Sequence, residues 1–241
     1  MSKLSELIKQ AYSQPSKVPT VVLNRLKLFY KIHVLKDVYS IAVNKYFTDN
    51  GDELLRLDYP LTMDSIVFDL GGYKGDFAFK INKKYGCFVY VYEPVNKFYI
   101  KCIERFKDNS KIKIFNYGLS NENRDFTIGD DDNSSSIIRK IKSSNIQNVI
   151  IKDFVEEFKL LQISRIDLLK INIEGPEFLL LPHIFSNNII NQIEHIQVQF
   201  HDFYPNALSL RNVIRNTLSE THTEKWNYPF VWESWSKTKL N

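Results

Sequence analysis

A glycine-rich turn, Asp69-Leu70-Gly71-Gly72-Tyr73-Lys74-Gly75, restricts the folds open to this chain of 241 residues. The largely apolar run Ser65–Leu70 leads into the turn and predicts a buried strand, and Asp76–Tyr85, which ends at Gly86, predicts a helix. Glycines at the first strand-to-helix turn of an open α/β sheet let the backbone approach a ligand closely. The turn therefore predicts an α/β fold with a ligand at the carboxyl ends of its strands. A tight turn that binds nothing is the alternative.

From about residue 64 onward, apolar strand patterns alternate with helical patterns. This alternation is typical of a mainly parallel sheet with helices on both faces. Further strands are predicted at Cys87–Tyr92, Ile112–Tyr117, Asp125–Ile128, Val149–Ile151, Ile166–Ile171 and Ile193–Phe200. Helices are predicted at Val95–Lys107, Pro176–Phe185 and Asn206–Leu218, and one through Leu161 is capped by Asp153. Alternating aromatic residues in Lys225–Trp235 predict an antiparallel hairpin that closes the sheet.

The first part of the chain differs from the rest in pattern and in charge. We predict an N-terminal helical segment, residues 1–60, with helices at 1–14 and within 20–47, and a main domain at 61–241. Residues 1–47 carry eight lysines and arginines against two acidic residues. A basic, partly amphipathic segment predicts docking on an anionic membrane surface or an acidic glycan. A solvated helical appendage is the alternative, and pairing of these helices in a homodimer is a further expectation.

Cysteine content, hydropathy and the placement of acidic residues indicate the expected compartment and the expected thiol and metal chemistry. Cys87 and Cys102 fall in a predicted strand and a predicted helix, so we expect reduced, buried thiols without a metal or disulfide role. The sequence contains no apolar run long enough for a membrane span and no secretory signal, so we expect a cytoplasmic protein. The run Asp130–Asp132 lies in a polar stretch and is expected to be solvated, so no metal site is predicted.

Two carboxylates narrow the choice of ligand. Asp69 at the head of the glycine turn suits a ligand that carries an ammonium, as S-adenosylmethionine does, and opposes a pyrophosphate. The turn reads G-G-x-x-G and not the G-x-G-x-x-G of dinucleotide sites. Glu93 ends the next strand, where an acid accepts hydrogen bonds from ribose hydroxyls. Because both S-adenosylmethionine and nicotinamide cofactors contain that ribose, a nicotinamide-dependent oxidoreductase stays as an alternative.

The order of these motifs, from about Ser65 to His201, resembles the FkbM-type methyltransferases. The matching segments are Val67–Gly75, Tyr92–Pro94, Asn116–Ser120, Ser134–Ser136, Lys170–Gly175 and Gln197–His201. The resemblance implies a class I methyltransferase fold, which is Rossmann-like, and S-adenosylmethionine as the cofactor. It also implies O-methylation of a hydroxyl on a sugar of a surface polysaccharide, a lipid-linked glycan or a related natural product, and hence a part in polysaccharide biosynthesis.

The residues that we assign to cofactor binding lie in these segments. They are Asp69, Gly71, Gly72, Tyr73, Gly75, Glu93, Pro94, Asn116, Gly118, Ser135, Ser136 and Asn172. Asn172 departs from the family pattern, because many members carry Asp at this position. An amide cannot serve as a base, but Asn172 can hydrogen-bond the methionine part of the cofactor or orient the acceptor.

A hydroxyl acceptor needs a base near its oxygen. His201 is the first candidate, since it follows the predicted strand Ile193–Phe200 at the cofactor edge and has a reference pKa of about 6.5. Asp202 is a candidate base or a partner that orients the imidazole, and Glu174 is the second candidate base. A purely structural His201 and a non-catalytic, cofactor-binding protein are the alternatives. A nucleic-acid substrate is not expected, because no basic stripe accompanies the glycine turn.

Overall fold

The computed structural model describes residues 20–129 and 146–238, and the chain forms two compact units, Met1–Gly51 and Asp52–Asn241. The first unit contains helices α1 (Thr20–His33) and α2 (Val38–Thr48), which confirms the helices expected within 20–47. Asp37 caps α2, since its Oδ2 accepts a hydrogen bond of 2.9 Å from the backbone N–H of Ser40. The helix expected at 1–14 lies outside the described residues.

The second unit alternates strands with helices, as its hydropathy pattern predicts. Its strands are β1 (Ile66–Leu70), β2 (Phe88–Tyr92), β3 (Ile112–Phe115), β4 (Gly118–Ser120), β5 (Arg124–Gly129), β6 (Ile146–Asp153), β7 (Leu168–Ile171), β8 (His195–Val198), β9 (His222–Tyr228) and β10 (Trp232–Lys237). Its helices are α3 (Asp76–Tyr85), α4 (Asn96–Phe106), α5 (Phe154–Leu160), α6 (Glu177–Ser186) and α7 (Ala207–Ser219), with a short 3₁₀ turn at Ile189–Gln192.

The larger sheet has seven strands in the order β3-β2-β1-β7-β8-β10-β9. The first five are parallel, and β10 and β9 form an antiparallel hairpin at one edge. The strand order reverses between β1 and β7, the position where open α/β sheets bind ligands. The expected Rossmann-like class I methyltransferase fold with a C-terminal antiparallel hairpin is therefore confirmed.

A second sheet of three strands, in the order β4-β6-β5, follows the third parallel strand. The third strand was expected to reach Tyr117, but β3 ends at Phe115 and the chain then enters β4 of this smaller sheet. Tyr117 lies outside β3, and its phenol donates a hydrogen bond of 2.8 Å to Glu157. On α4, Phe98, Cys102 and Phe106 are buried, whereas Ile103 is 42% exposed.

Apolar residues cover both faces of the larger sheet. One face packs against α5, α6 and α7 in a cluster that includes Phe68, Leu169 and Ile196. The other face packs against α3, α4 and the segment 52–61. Cys87 and Cys102 are buried free thiols, as expected, and burial raises the pKa of Cys87 to about 11. Within residues 20–129 and 146–238, none of the helices has the length and apolar character that crossing a bilayer requires.

Candidate functional site

The parallel strands bring most of the proposed site residues to one edge of the larger sheet. Gly71 follows β1, Glu93 follows β2 and Asn116 follows β3. Asn172 directly follows β7, and His201 lies three residues beyond the end of β8. Because all five strands are parallel, their carboxyl ends meet at this edge, so residues that are distant in the chain come together there.

The glycine turn is shaped by its own neighbours. Gly71 has a φ of 78°, and a Cβ there would lie 1.9 Å from the backbone oxygen of Asn172. Gly75 has a φ of 77°, and a Cβ there would lie 2.5 Å from Cε2 of Phe106. A Cβ on Gly72 would lie 2.2 Å from Cγ1 of Val91. The close packing of the turn against β7, α4 and β2 therefore requires these glycines before any ligand is considered.

Asp69 is fully buried and forms an ion pair with Lys170 on the adjacent strand β7. The distance from Lys170 Nζ to Asp69 Oδ1 is 2.7 Å. The same ammonium donates hydrogen bonds to the carbonyl oxygens of Leu70, at 3.2 Å, and Gly71, at 2.8 Å. Burial lowers the pKa of Lys170, and attraction to Asp69 offsets part of that effect. Lys170 therefore holds the glycine turn and its leading carboxylate in place.

Glu93 is buried and holds two loops at the same edge. Its Oε2 accepts a hydrogen bond of 2.7 Å from the backbone N–H of Tyr73, and its Oε1 accepts one of 2.8 Å from the N–H of Val95. Burial raises the pKa of Glu93 to about 7, although these two hydrogen bonds and attraction to Lys170 oppose the shift. The Tyr73 side chain is 40% exposed, and its ring packs on Phe98 with 4.4 Å between centroids.

Three buried acceptor atoms at this edge have no hydrogen-bond or ion-pair partner in the described part of the chain. They are Asp69 Oδ2, Asn116 Oδ1 and Asn172 Oδ1. Such atoms are uncommon in folded proteins, because leaving a buried polar group unpaired costs about 1–3 kcal/mol. All three residues were assigned to cofactor binding from the sequence. The arrangement therefore offers unfilled acceptors to a ligand that carries hydrogen-bond donors.

His201 lies at the β7–β8 side of the edge, in contact with two glutamates. Its Nδ1 lies 2.9 Å from Oε1 of Glu177, which also accepts a hydrogen bond of 2.9 Å from the His201 backbone N–H. Its Nε2 lies 3.6 Å from Oε1 of Glu174. Burial acts to lower the pKa of His201, but the hydrogen bond and charge of Glu177, with the charges of Glu174 and Asp202, outweigh burial and raise it.

Local backbone conformation positions these glutamates. Glu174 has a φ of 59°, in the left-handed region that non-glycine residues seldom adopt. Glu177 is fully buried in the first turn of α6, and its Oε2 accepts a hydrogen bond of 2.7 Å from the N–H of Gly175. Asp202, by contrast, is exposed. The hydrogen bond that orients the imidazole thus comes from Glu177, a residue to which the sequence analysis assigned no role.

A family model described as the methyltransferase FkbM domain matches residues 69–228, about two thirds of the chain. The chain belongs to the FkbM methyltransferase family. The match begins at Asp69 and spans the glycine turn, Glu93, Asn172 and His201. The resemblance inferred from the motifs is therefore confirmed. No curated protein sequence matches the chain.

Solved structures similar to this FkbM chain include methyltransferases of other kinds. An rRNA methylase from Streptococcus thermophilus is 13% identical, with 79% of this chain and 95% of that chain covered and a TM-score of 0.46. A putative rRNA methylase from Clostridium thermocellum is 8% identical, with 80% and 97% covered and a TM-score of 0.49. TrmK from M. capricolum, in complex with S-adenosyl-homocysteine, is 13% identical, with 75% and 65% covered and a TM-score of 0.42. The family assignment rests on the family match and not on these distant likenesses.

The other residues that we assigned to cofactor binding lie partly beside this site and partly outside the described residues. Gly118 and Pro94 lie side by side, since a Cβ on Gly118 would be 3.5 Å from Cγ of Pro94. Asn116 donates from its Nδ2 to Oδ1 of Asn96, at 3.2 Å. Ser135 and Ser136, with the run Asp130–Asp132, lie outside the described residues. Within residues 20–129 and 146–238, no three His, Cys, Asp or Glu side chains are grouped so as to hold a metal ion.

Sequence analysis assigned no role to Lys170 or Glu177, although the sequence contains a signal for each. Lys170 is a charged residue within the otherwise apolar strand β7, and a charge in a strand covered on both faces needs a buried partner. The partner is Asp69, which lies opposite Lys170 in the parallel register. Glu177 follows Gly175 and Pro176 in the first turn of a helix, where a carboxylate is favoured by the helix dipole.

Proposed function

We propose that this FkbM-family protein is an S-adenosylmethionine-dependent O-methyltransferase that acts on a sugar hydroxyl. The observation that carries the proposal is the pairing of two features at one sheet edge. Buried acceptors without a partner among the described residues lie at the carboxyl ends of β3, β1 and β7, and His201, oriented by Glu177, lies after β8 at the same edge. The first feature suits the cofactor, and the second suits deprotonation of a weakly acidic acceptor.

The donor groups of S-adenosylmethionine match the acceptors at the edge. Its methionine part carries an ammonium, its ribose carries two hydroxyls and its adenine carries an amine. Asp69 Oδ2 on β1 and Asn172 Oδ1 directly after the neighbouring strand β7 suit the ammonium. Glu93 follows β2, where its carboxylate suits the ribose hydroxyls. Asn116 follows β3 and supplies a further acceptor for the nucleoside. These residues fit the cofactor.

Once bound, S-adenosylmethionine supplies a methyl group on a sulfonium sulfur, so the protein mainly has to align the acceptor and remove its proton. The hydrogen bond to Glu177 places the proton of neutral His201 on Nδ1 and leaves the lone pair on Nε2. Nε2 then takes the proton of the acceptor hydroxyl. The carboxylates of Glu177 and Glu174, on either side of the ring, stabilise the imidazolium that results.

A sugar acceptor is favoured by the family resemblance and by this choice of base. A sugar hydroxyl is a poor nucleophile without a base, whereas an amine acceptor needs only to be unprotonated. Asn172, where many family members carry Asp, leaves base function to His201. The sugar of a surface polysaccharide or a lipid-linked glycan is therefore the substrate class that we propose.

The test supplies the full chain with S-adenosylmethionine labelled in its methyl group and a panel of neutral, acidic and amino sugar glycosides. We expect label in an alkali-stable methyl ether, because an ester formed on a carboxylate would release methanol in mild alkali. His201→Asn should lower turnover about 10²- to 10⁴-fold. Its affinity for S-adenosylhomocysteine should not change, since His201 is assigned to the acceptor side.

His195→Asn is the matched control. His195 is the first residue of β8, at the end of the strand opposite to His201. The turnover of this control should equal that of the parent. Label confined to alkali-labile esters would contradict O-methylation of a hydroxyl. Saturable cofactor binding without label in any acceptor would favour the non-catalytic alternative.

A further inference from the structure

The turn between the two helices of the first unit exposes a group of apolar side chains. We define the hairpin tip as residues 31–39, which join the end of α1 to the start of α2. Val34 is 58% exposed, Leu35 59%, Val38 63% and Tyr39 48%. On α2 itself, Ser40, Ala42 and Tyr46 are buried. Four large apolar side chains are thus exposed within six consecutive positions.

Basic side chains surround this apolar group. Lys31 and Lys36 lie within the tip and are exposed, and Arg25, Lys27 and Lys45 are exposed elsewhere on the two helices. Against these five cations, residues 20–49 contain two acids: Asp49, which forms an ion pair with Lys45, and Asp37. That carboxylate is engaged, because it accepts the hydrogen bond from Ser40 that caps α2. The hairpin therefore combines an apolar tip with a positive rim.

We propose that the hairpin tip docks on an anionic lipid membrane surface. Lipid supplies both complements at once, since the acyl boundary takes up the apolar side chains while the headgroups attract lysines. A soluble acidic glycan would match only the charge. A second copy of this chain would match only the apolar group, because a two-fold contact through the tip brings Lys31 and Lys36 of both copies together. The inference is independent of the reaction that we propose.

The test measures co-sedimentation of the full chain with two kinds of vesicle, phosphatidylcholine alone and phosphatidylcholine mixed with phosphatidylglycerol. We expect binding to the mixed vesicles that weakens as salt is added, and little binding to the neutral ones. Leu35→Ser combined with Val38→Ser should weaken partitioning at least about tenfold, because two apolar side chains no longer enter the lipid. Lys31→Gln combined with Lys36→Gln should weaken it about fivefold for each lysine removed.

Leu208→Ser combined with Val213→Ser is the matched control, because these residues are 61% and 60% exposed on α7 but have no role in the proposal. This control should bind as the parent does, and thermal melting should be alike in all variants. Failure of the parent to bind mixed vesicles, or equal binding by the tip variants, would overturn the proposal. It would also be overturned by a parent dimer in sedimentation that Leu35→Ser and Val38→Ser convert to a monomer without any vesicle binding.

Discussion

His201 combines a role in the proposed reaction with an environment that favours its charged form. The contact between its Nδ1 and Glu177 holds the ring in one orientation, and the neighbouring acidic charges raise its pKa. A raised pKa makes the imidazole a better proton acceptor but protonates a larger fraction at neutral pH. Turnover should therefore fall as the pH drops through the pKa of His201, because only the neutral imidazole can act as a base.

Glu177→Gln tests this account without any acceptor. Replacing the carboxylate with an amide removes the main interaction that raises the pKa of His201, so that pKa should fall below the value in the parent. NMR titration of the His201 imidazole measures it directly. Glu220→Gln, an exposed change on the C-terminal side of α7, is the control and should leave the titration unchanged. An unchanged His201 pKa in Glu177→Gln would mean that this contact does not set the charge of the ring.

Glu93 makes cofactor affinity depend on pH. Hydroxyl donors prefer the ionised carboxylate, and the pKa of Glu93 is raised to about 7 in the free protein. Affinity for S-adenosylhomocysteine should therefore weaken by up to about tenfold between roughly pH 8 and pH 6, as the carboxylate takes up a proton. Calorimetry at several pH values measures this change. In Glu93→Gln the affinity should be lower, and this part of the pH dependence should be lost. The same pH dependence in Glu93→Gln would assign it to another group.

At the scale of elements, substitution of the two glycines that flank α3 distinguishes the cost of backbone strain from the cost of a packing clash. Gly75 and Gly86 both have a positive φ, at 77° and 66°. A Cβ on Gly86 meets nothing closer than 3.9 Å, whereas one on Gly75 would lie 2.5 Å from Phe106. Gly86→Ala should thus cost about 1–2 kcal/mol of the free energy of unfolding, from strain alone. Gly75→Ala should cost about 1–3 kcal/mol more, from the clash.

Urea denaturation of the two variants measures these free energies. Equal costs would show that the turn relaxes around the new methyl group, and that close packing against α4 does not explain the glycine at position 75.

Most elements could be predicted from the sequence, because apolar runs bounded by Gly, Pro and Asn mark buried strands between helices. The prediction of α3 agreed at both ends, since Gly75 and Gly86 stop the helix in left-handed conformations. The end of β3 was wrong by two residues. Aromatic Tyr117 extends the strand pattern beyond Phe115, and hydropathy does not reveal that the Tyr117 phenol pairs with Glu157.

The parallel topology was enough to predict at which edge of the sheet the site lies. It was not enough to predict which side chains contact one another there. The hydrogen bond between Glu177 and His201 joins residues on different elements, 24 positions apart in the chain. The ion pair between Lys170 and Asp69 depends on the register of two parallel strands. Which of several nearby acids meets a given base is decided by such packing, and periodicity in the sequence carries no information about it.

At the scale of the whole second unit, buried polar side chains follow one another across the larger sheet, from Asp69 on β1 to Ser234 on β10. Four neighbouring strands, β1, β7, β8 and β10, carry these residues at matching register positions: Asp69, Lys170, Gln197 and Ser234. Tyr59 completes this series, since its phenol lies 2.9 Å from Ser234 Oγ and accepts a hydrogen bond of 3.0 Å from Gln197. Asp69 is therefore part of the folded core as well as of the proposed cofactor site.

This double role limits Asp69→Ala as a test of cofactor binding. Removing the carboxylate would leave Lys170 buried without its counter-charge, which costs about 3–5 kcal/mol. Loss of binding in that variant would not separate a lost contact from a lost fold. Asn172 does not have this drawback, because its buried Oδ1 has no partner among residues 20–129 and 146–238.

The most direct measurement of the central claim is calorimetric titration of the full chain and of Asn172→Leu with S-adenosylhomocysteine. We expect the parent to bind one equivalent and the variant to bind more weakly. The variant should be at least as stable, because it lacks a buried acceptor that has no partner in the described part of the chain. Asn82→Leu is the control, since Asn82 already donates a hydrogen bond of 2.7 Å to Cys87, and it should lose stability but keep its affinity. No binding by the parent, or binding of a nicotinamide dinucleotide in its place, would contradict the account.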